Sequence, residues 1–115
     1  MADSADSLPS QRVNADLLPR FVGKVARLVC RPVKQTNEGW IVQTCDGGQI
    51  TVELLSGEFK SQDLFYEVIG NVPNATTMKV FQVITLDADL DMELVNDTIK
   101  LMHDQRFYTK LFVDA

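Results

Sequence analysis

Between residues 24 and 86 the chain reads as five segments rich in β-branched and apolar residues, and no gap between them can hold a crossover helix. That spacing constrains the fold more than any other feature. KVARLVCRPVK (24–34) is a long first strand, with Pro32 marking an edge or a bulge near its end. GWIVQTC (39–45) and QITVELL (49–55) are the second and third strands, joined through Asp46-Gly47-Gly48. Asp-Gly between strand-like runs is a strong hairpin signal. LFYEVIGNV (64–72) is the fourth strand, with Gly70 a bulge or a point of close backbone approach, and MKVFQVITL (78–86) is the fifth.

Strands this short and this closely spaced favour a small closed barrel over a parallel α/β sheet. The expectation is an all-β protein, a five-stranded Greek-key barrel (an OB-fold) with flanking helices; strand number alone leaves an SH3-like barrel as the alternative. Residues 1–11, rich in Ser, Asp and Ala, read as a disordered tail, and residues 12–115 as one domain. Within NADLLPRFVGK (14–24), Asn14 is a candidate N-cap, and Leu17, Leu18, Phe21 and Val22 fall on one side of a short helix. Pro19 keeps that helix short or kinked, and Gly23 suits its end.

Composition then removes several function classes. The formal net charge of −5 argues against a stand-alone nucleic-acid binder, which needs a basic surface. The two cysteines, Cys30 and Cys45, lie in strand-like runs without metal-ligand spacing and read as small buried hydrophobes of a reducing compartment. The polar, acidic start has no signal-peptide core, and no apolar run approaches the length of a membrane span. Asp87, Asp89 and Asp91 have the alternation that opens an EF-hand loop, but the positions that require Gly and Glu hold Met92 and Thr98. They read instead as a helix start, with Asp89 or Asp91 as cap. His103 is the sole histidine, so no two-histidine metal site can form within one chain, and spacing suggests no Ser-His or Cys-His pair. No cofactor is implied, and nothing points to an enzyme.

Two candidate surfaces remain. Arg27, Arg31 and Lys34 form a basic stripe on the first strand, and Trp40 opens the second. Together they suggest weak auxiliary contact with single-stranded nucleic acid, whereas a full stacking platform would need more rings. Phe65, Tyr66 and Phe81 are expected in the core. The second surface is the helix expected over about 89–105. Met92, Leu94, Val95, Thr98, Ile99, Leu101 and Met102 cover roughly half its circumference, more than a helix resting on one small barrel requires. Met92, Val95, Ile99 and Met102 have coiled-coil spacing, with Leu94, Thr98 and Leu101 flanking them. One stripe can rest on the barrel, and the other then calls for a partner. A homodimer through the same helix is a further alternative.

Several stretches, taken in order, resemble the family of the smallest subunit of replication protein A, the eukaryotic single-stranded-DNA-binding heterotrimer. RVNADLLPRFVGK (12–24) is similar to its opening helix, LVCRPVK (28–34) to its first strand, GGQITVELL (47–55) to its third and FYEVIGNV (65–72) to its fourth. DADLDMELVNDTIKLMHD (87–104), followed by Phe107-Tyr108, is similar to its C-terminal helix. The resemblance implies an OB-fold subunit whose C-terminal helix joins one helix from each of the middle and large subunits in a three-helix bundle. It implies that Met92, Leu94, Val95, Thr98, Ile99, Leu101 and Met102 form that interface and that single-stranded DNA is held mainly by the larger subunits. It also implies work in DNA replication, repair and recombination in the nucleus, with no membrane role.

Overall fold

A computed structural model describes residues 11–104. The expected tail over residues 1–10 lies outside them, and Gln11 already belongs to a strand. The elements are β1 (Gln11–Val13), a 3-10 turn (Leu18–Phe21), β2 (Val25–Thr36), β3 (Gly39–Thr44), β4 (Gln49–Leu54), β5 (Tyr66–Asn74), β6 (Thr77–Thr85) and α1 (Met92–Met102). All five expected strands form where the hydrophobic pattern places them.

The barrel closes because β2 is long enough to serve two neighbours. Its first half pairs antiparallel with β5, from Val25 opposite Asn71 to Cys30 opposite Tyr66. Its second half pairs antiparallel with β3, from Cys30 opposite Thr44 to Thr36 opposite Gly39. The register slips between Pro32 and Lys34, so the proline marks a bulge as expected, and the bend it brings carries β2 from one neighbour to the other. β3 pairs antiparallel with β4, β4 parallel with β6, and β6 antiparallel with β5. The closed order β2-β3-β4-β6-β5 is that of a Greek-key OB barrel.

Alternation along each strand fills the interior. Ala26, Leu28 and Cys30 of β2 face Gly70, Val68 and Tyr66 of β5, while Val42 of β3 faces Ile50 of β4 across the other half, and all of these are buried. Gly70 sits where the β5–β6 register slips; a Cβ there would lie 2.1 Å from the Lys79 carbonyl oxygen. The close-approach reading of that glycine is therefore the physical one. Gly47 closes the β3–β4 hairpin at φ 83°, a conformation glycine adopts without a Cβ penalty.

Three sequence expectations need correction. The N-terminal helix is only the 3-10 turn. Pro19 near its start has no N–H to give, and the chain turns back at Gly23, whose N–H donates to Val72 O at 2.8 Å. Asn14 is not its N-cap, which is Leu17 without a side-chain bond; Asn14 Oδ1 instead closes the preceding turn, accepting from Leu17 N at 2.9 Å. β1 was absent from the pattern because three residues carry no periodicity; it pairs in parallel with Ala26–Leu28 and buries Val13 completely. Phe81 is not core. The pairs Ile69–Gln82 and Gly70–Val80 leave it unpaired at the bulge, 43% exposed.

Candidate assembly interface

α1 begins at a cap readable from the acidic run. Asp91 is the N-cap, its Oδ1 accepting from Leu94 N at 3.1 Å, and Glu93 in the first turn complements the helix dipole. The helix is shorter than expected at both ends: it begins at Met92, with the residues up to Asp91 outside it as linker and cap, and it ends at Met102, with His103 as its C-cap.

Its seven apolar interface candidates do not stay together. Met92, Val95 and Ile99 pack against the chain's own core, and Ile99 is only 1% exposed. Ile99 is thereby corrected from a partner contact to a core residue of this chain. The stripe that meets the barrel is Met92, Asn96, Ile99 and His103, with Val95 alongside. It differs from the apolar Met92, Val95, Ile99 and Met102 seam because two of its four places are polar and bond to the barrel. Asn96 Oδ1 accepts from Asn14 Nδ2 at 2.8 Å and from Cys45 Sγ at 3.8 Å. His103 Nε2 donates to the Arg12 carbonyl oxygen at 2.8 Å, and its ring stands edge-on to Phe21 with centroids 5.8 Å apart.

Leu94, Leu101 and Met102 point away from the core and are 62%, 50% and 37% exposed. Thr98 lies between them, its hydroxyl turned inward to donate to Leu94 O at 2.9 Å, which leaves its methyl to the surface. Between this face and the barrel runs an open groove of about 300 Å³, lined chiefly by Val29, Leu86, Leu90, Val95 and Met102. At its edge Glu67, nearly buried, takes Arg12 Nε at 2.8 Å and Arg27 Nη1 at 3.3 Å. From Ile99 round to Leu101 the apolar surface is continuous. Large side chains left in water along a contiguous face mark an interaction surface.

The nucleic-acid candidates are not brought together. Strand alternation and register put Arg31 opposite Gln43 and Lys34 opposite Ile41 on the outer face of the β2–β3 half. Arg27 lies on the other half of β2, committed to Glu67. Trp40 is opposite Val52, on the inner side, edge-on to Phe59 at 5.5 Å; Phe59 in turn packs on the buried Tyr66 at 4.8 Å. The outer face of β3 and β4 carries Ile41, Gln43, Gln49, Thr51 and Glu53 and no ring. Two cations without an aromatic ring give a poor single-strand platform.

Sequence reasoning missed Asp46, which it read only as a hairpin residue. Its carboxylate accepts from Ala15 N at 3.2 Å, from Asp16 N at 3.0 Å and from the Thr44 hydroxyl, pinning the N-terminal segment to the β3–β4 turn. Desolvation works to raise this carboxyl, but these three donors and its own backbone N–H together hold it below its ordinary range. Both thiols are free and pushed up, first by burial; Cys45 reaches about 11, with Asp46 adding to the effect. They are poor nucleophiles at neutral pH.

A closed Greek-key barrel, with a capped helix whose far face is apolar and open, defines a class: an OB-fold protein with an exposed apolar helix face. The comparisons narrow it. The chain matches the Replication factor A protein 3 family model over residues 4–108 and belongs to that family. It is 24% identical over 106 residues to Replication factor A protein 3 of Schizosaccharomyces pombe, covering 92% of this chain and 97% of that protein. Among solved structures, a chain of U. maydis Replication protein A bound to ssDNA superposes with a TM-score of 0.74 at 24% identity, over 90% of this chain and 95% of that one. A chain of the S. pombe Stn1–Ten1 complex superposes with a TM-score of 0.66 at 8% identity, over 82% and 91% respectively. At these identities the structural likeness speaks for the fold.

Proposed function

We propose that this chain is the small, non-catalytic subunit of a heterotrimeric single-stranded-DNA-binding complex of the replication protein A type. It joins the middle and large subunits by lending the open face of α1 to a three-helix bundle with one helix from each, and the complex serves DNA replication, repair and recombination in the nucleus. The observation that carries this reading is the exposure of Leu94, Leu101 and Met102 on a helix that rests on its own barrel through the buried Ile99 and the half-buried Met92 and Val95. Family membership supplies the context in which such a face has partners. The residues we assign to the bundle are Leu94, Thr98, Leu101 and Met102, with Val95 and Met92 at the margin and Ile99 beneath. The larger subunits carry most of the DNA contact.

Co-expression with the other two subunits tests this. Leu94→Asp and Leu101→Asp place charges on the open face, so the tagged variant should fold alone yet recover the partners at least about tenfold less well. Undiminished recovery by the double variant would remove the assembly reading. Tight, strongly salt-dependent binding of the lone chain to oligothymidine would favour the stand-alone binder instead.

A further inference from the structure

An apolar helix face holds no particular rotation by itself, because burial is non-directional. The apolar surface of α1 runs without a break from Ile99 round to Leu101, so turning the helix by one position (about 100°) would exchange one set of large apolar side chains for another at the barrel. Something else must choose which set faces out. The polar members of the barrel-facing stripe do so. Asn14 is 2% exposed and has both ends of its amide occupied: Oδ1 accepts from Leu17 N at 2.9 Å, and Nδ2 donates to Asn96 Oδ1 at 2.8 Å. The Leu17 bond fixes which end of the Asn14 amide is the donor, and so where its Nδ2 points. Asn96 must present its oxygen there, and only one rotation of α1 allows it. Seven residues on, the same stripe makes its second polar contact, from His103 Nε2 to the carbonyl oxygen of Arg12. Ile99 lies between the two and fills the core.

We infer that Asn14, Asn96 and His103 are positioning residues that lock the rotation of α1, and that this lock directs Leu94, Leu101 and Met102 outward as a ready-made docking face. The inference rests on the assembly reading and deepens it. Of the groups involved Asn14 is buried, while Asn96 and His103 are half-buried. Polar contacts at such places add little net stability over well-packed apolar residues, and their best-attested use is to select one register among several. An unpaired Asn14 amide in any other rotation supplies the penalty that makes the selection.

The test uses the full chain. Asn96→Leu keeps the side-chain size and removes the acceptor, while Asn14 can still close its own turn. Residual dipolar couplings of the free variant should fit the wild-type alignment throughout the barrel and depart from it in α1. Recovery of the other two subunits should fall about tenfold, with Asn96→Asp, which keeps an acceptor oxygen, restoring it to within about twofold. A purely structural role would lower Tm and leave the α1 couplings of the folded fraction unchanged. That result overturns the inference, as does an altered α1 orientation with undiminished recovery. If Asn96→Leu fails to fold, His103→Leu at the helix end reads the same couplings. If the Leu94→Asp, Leu101→Asp double variant recovers the subunits normally, the assembly reading fails, while the free-chain couplings still judge the lock.

Discussion

One carboxylate ties the N-terminal segment to a hairpin: Asp46 accepts two backbone N–H groups from residues 15 and 16 and the hydroxyl of Thr44. Its pKa in the folded chain lies below the ordinary 3.8, so the unfolded chain binds a proton more readily. The stabilisation is therefore complete above about pH 4 and is lost as pH falls through the depressed folded value. Asp46→Asn should cost about 1.5 kcal/mol at neutral pH, the low end for bonds to a charged acceptor because solvent reaches this one. The gap from wild type should narrow below about pH 4, as urea unfolding at several pH values would show. Gly47 and Gly70 make a sharper pair. Gly47 has open space for a Cβ but a φ of 83°, so Gly47→Ala should cost about 1 kcal/mol through the backbone alone. At Gly70 the added carbon would meet the Lys79 carbonyl at 2.1 Å and the Val80 Cα at 2.7 Å. Separating them means opening the β5–β6 pairing, and Gly70→Ala should cost about 3 kcal/mol or more. Equal costs for the two variants would contradict this account.

At the scale of elements, α1 divides into sides that respond differently to the same chemistry. Ile99→Asp puts a carboxylate among the buried side chains around the 1%-exposed Ile99, so it should destabilise by about 4 kcal/mol or more and release the helix. Leu101→Asp, two positions on, should change stability by less than about 0.5 kcal/mol, because its side chain is half in water before and after. Thermal unfolding of the two variants distinguishes a two-sided helix from one that merely sits on the surface. The same helix shows where the sequence was readable. Its cap, the five strands, the bulges at Pro32 and Gly70 and the excess of apolar face all follow from local chemistry: dihedral preference, alternation and side-chain size. What could not be read is which side faces the barrel. Asn96 and His103 look like solvent residues on a helical wheel, and their partners, Asn14 and Arg12, stand 82 and 91 residues away. A period detects apolar side chains, and it is blind to a polar contact made over that separation. β1 escaped for the related reason that three residues become a strand only because β2 offers them an edge.

For the molecule as a whole, the distribution of charge matters more than its total. A net charge of −5 opposes approach to a phosphodiester chain, yet Arg31 and Lys34 share one outer face. The third cation of the stripe, Arg27, is turned to Glu67, and the indole of Trp40 is packed on Phe59. What the outer face of β2 and β3 can offer a single strand is therefore two counterion-releasing side chains and no ring to stack on. For single strands each neutralised phosphate contributes about −0.7 to the slope of log K against log salt, so the slope should be no steeper than about −1.4. Removing Arg31 and Lys34 together should flatten it to near zero, whereas Trp40→Ala should act on stability, through the lost Trp40–Phe59–Tyr66 ring contacts, and leave the slope alone. Oligothymidine titrations across a salt series measure this directly. A slope as steep as that of a protein contacting six phosphates, or one that falls with Trp40→Ala, would mean that the barrel binds DNA on a surface other than the outer face of β2 and β3.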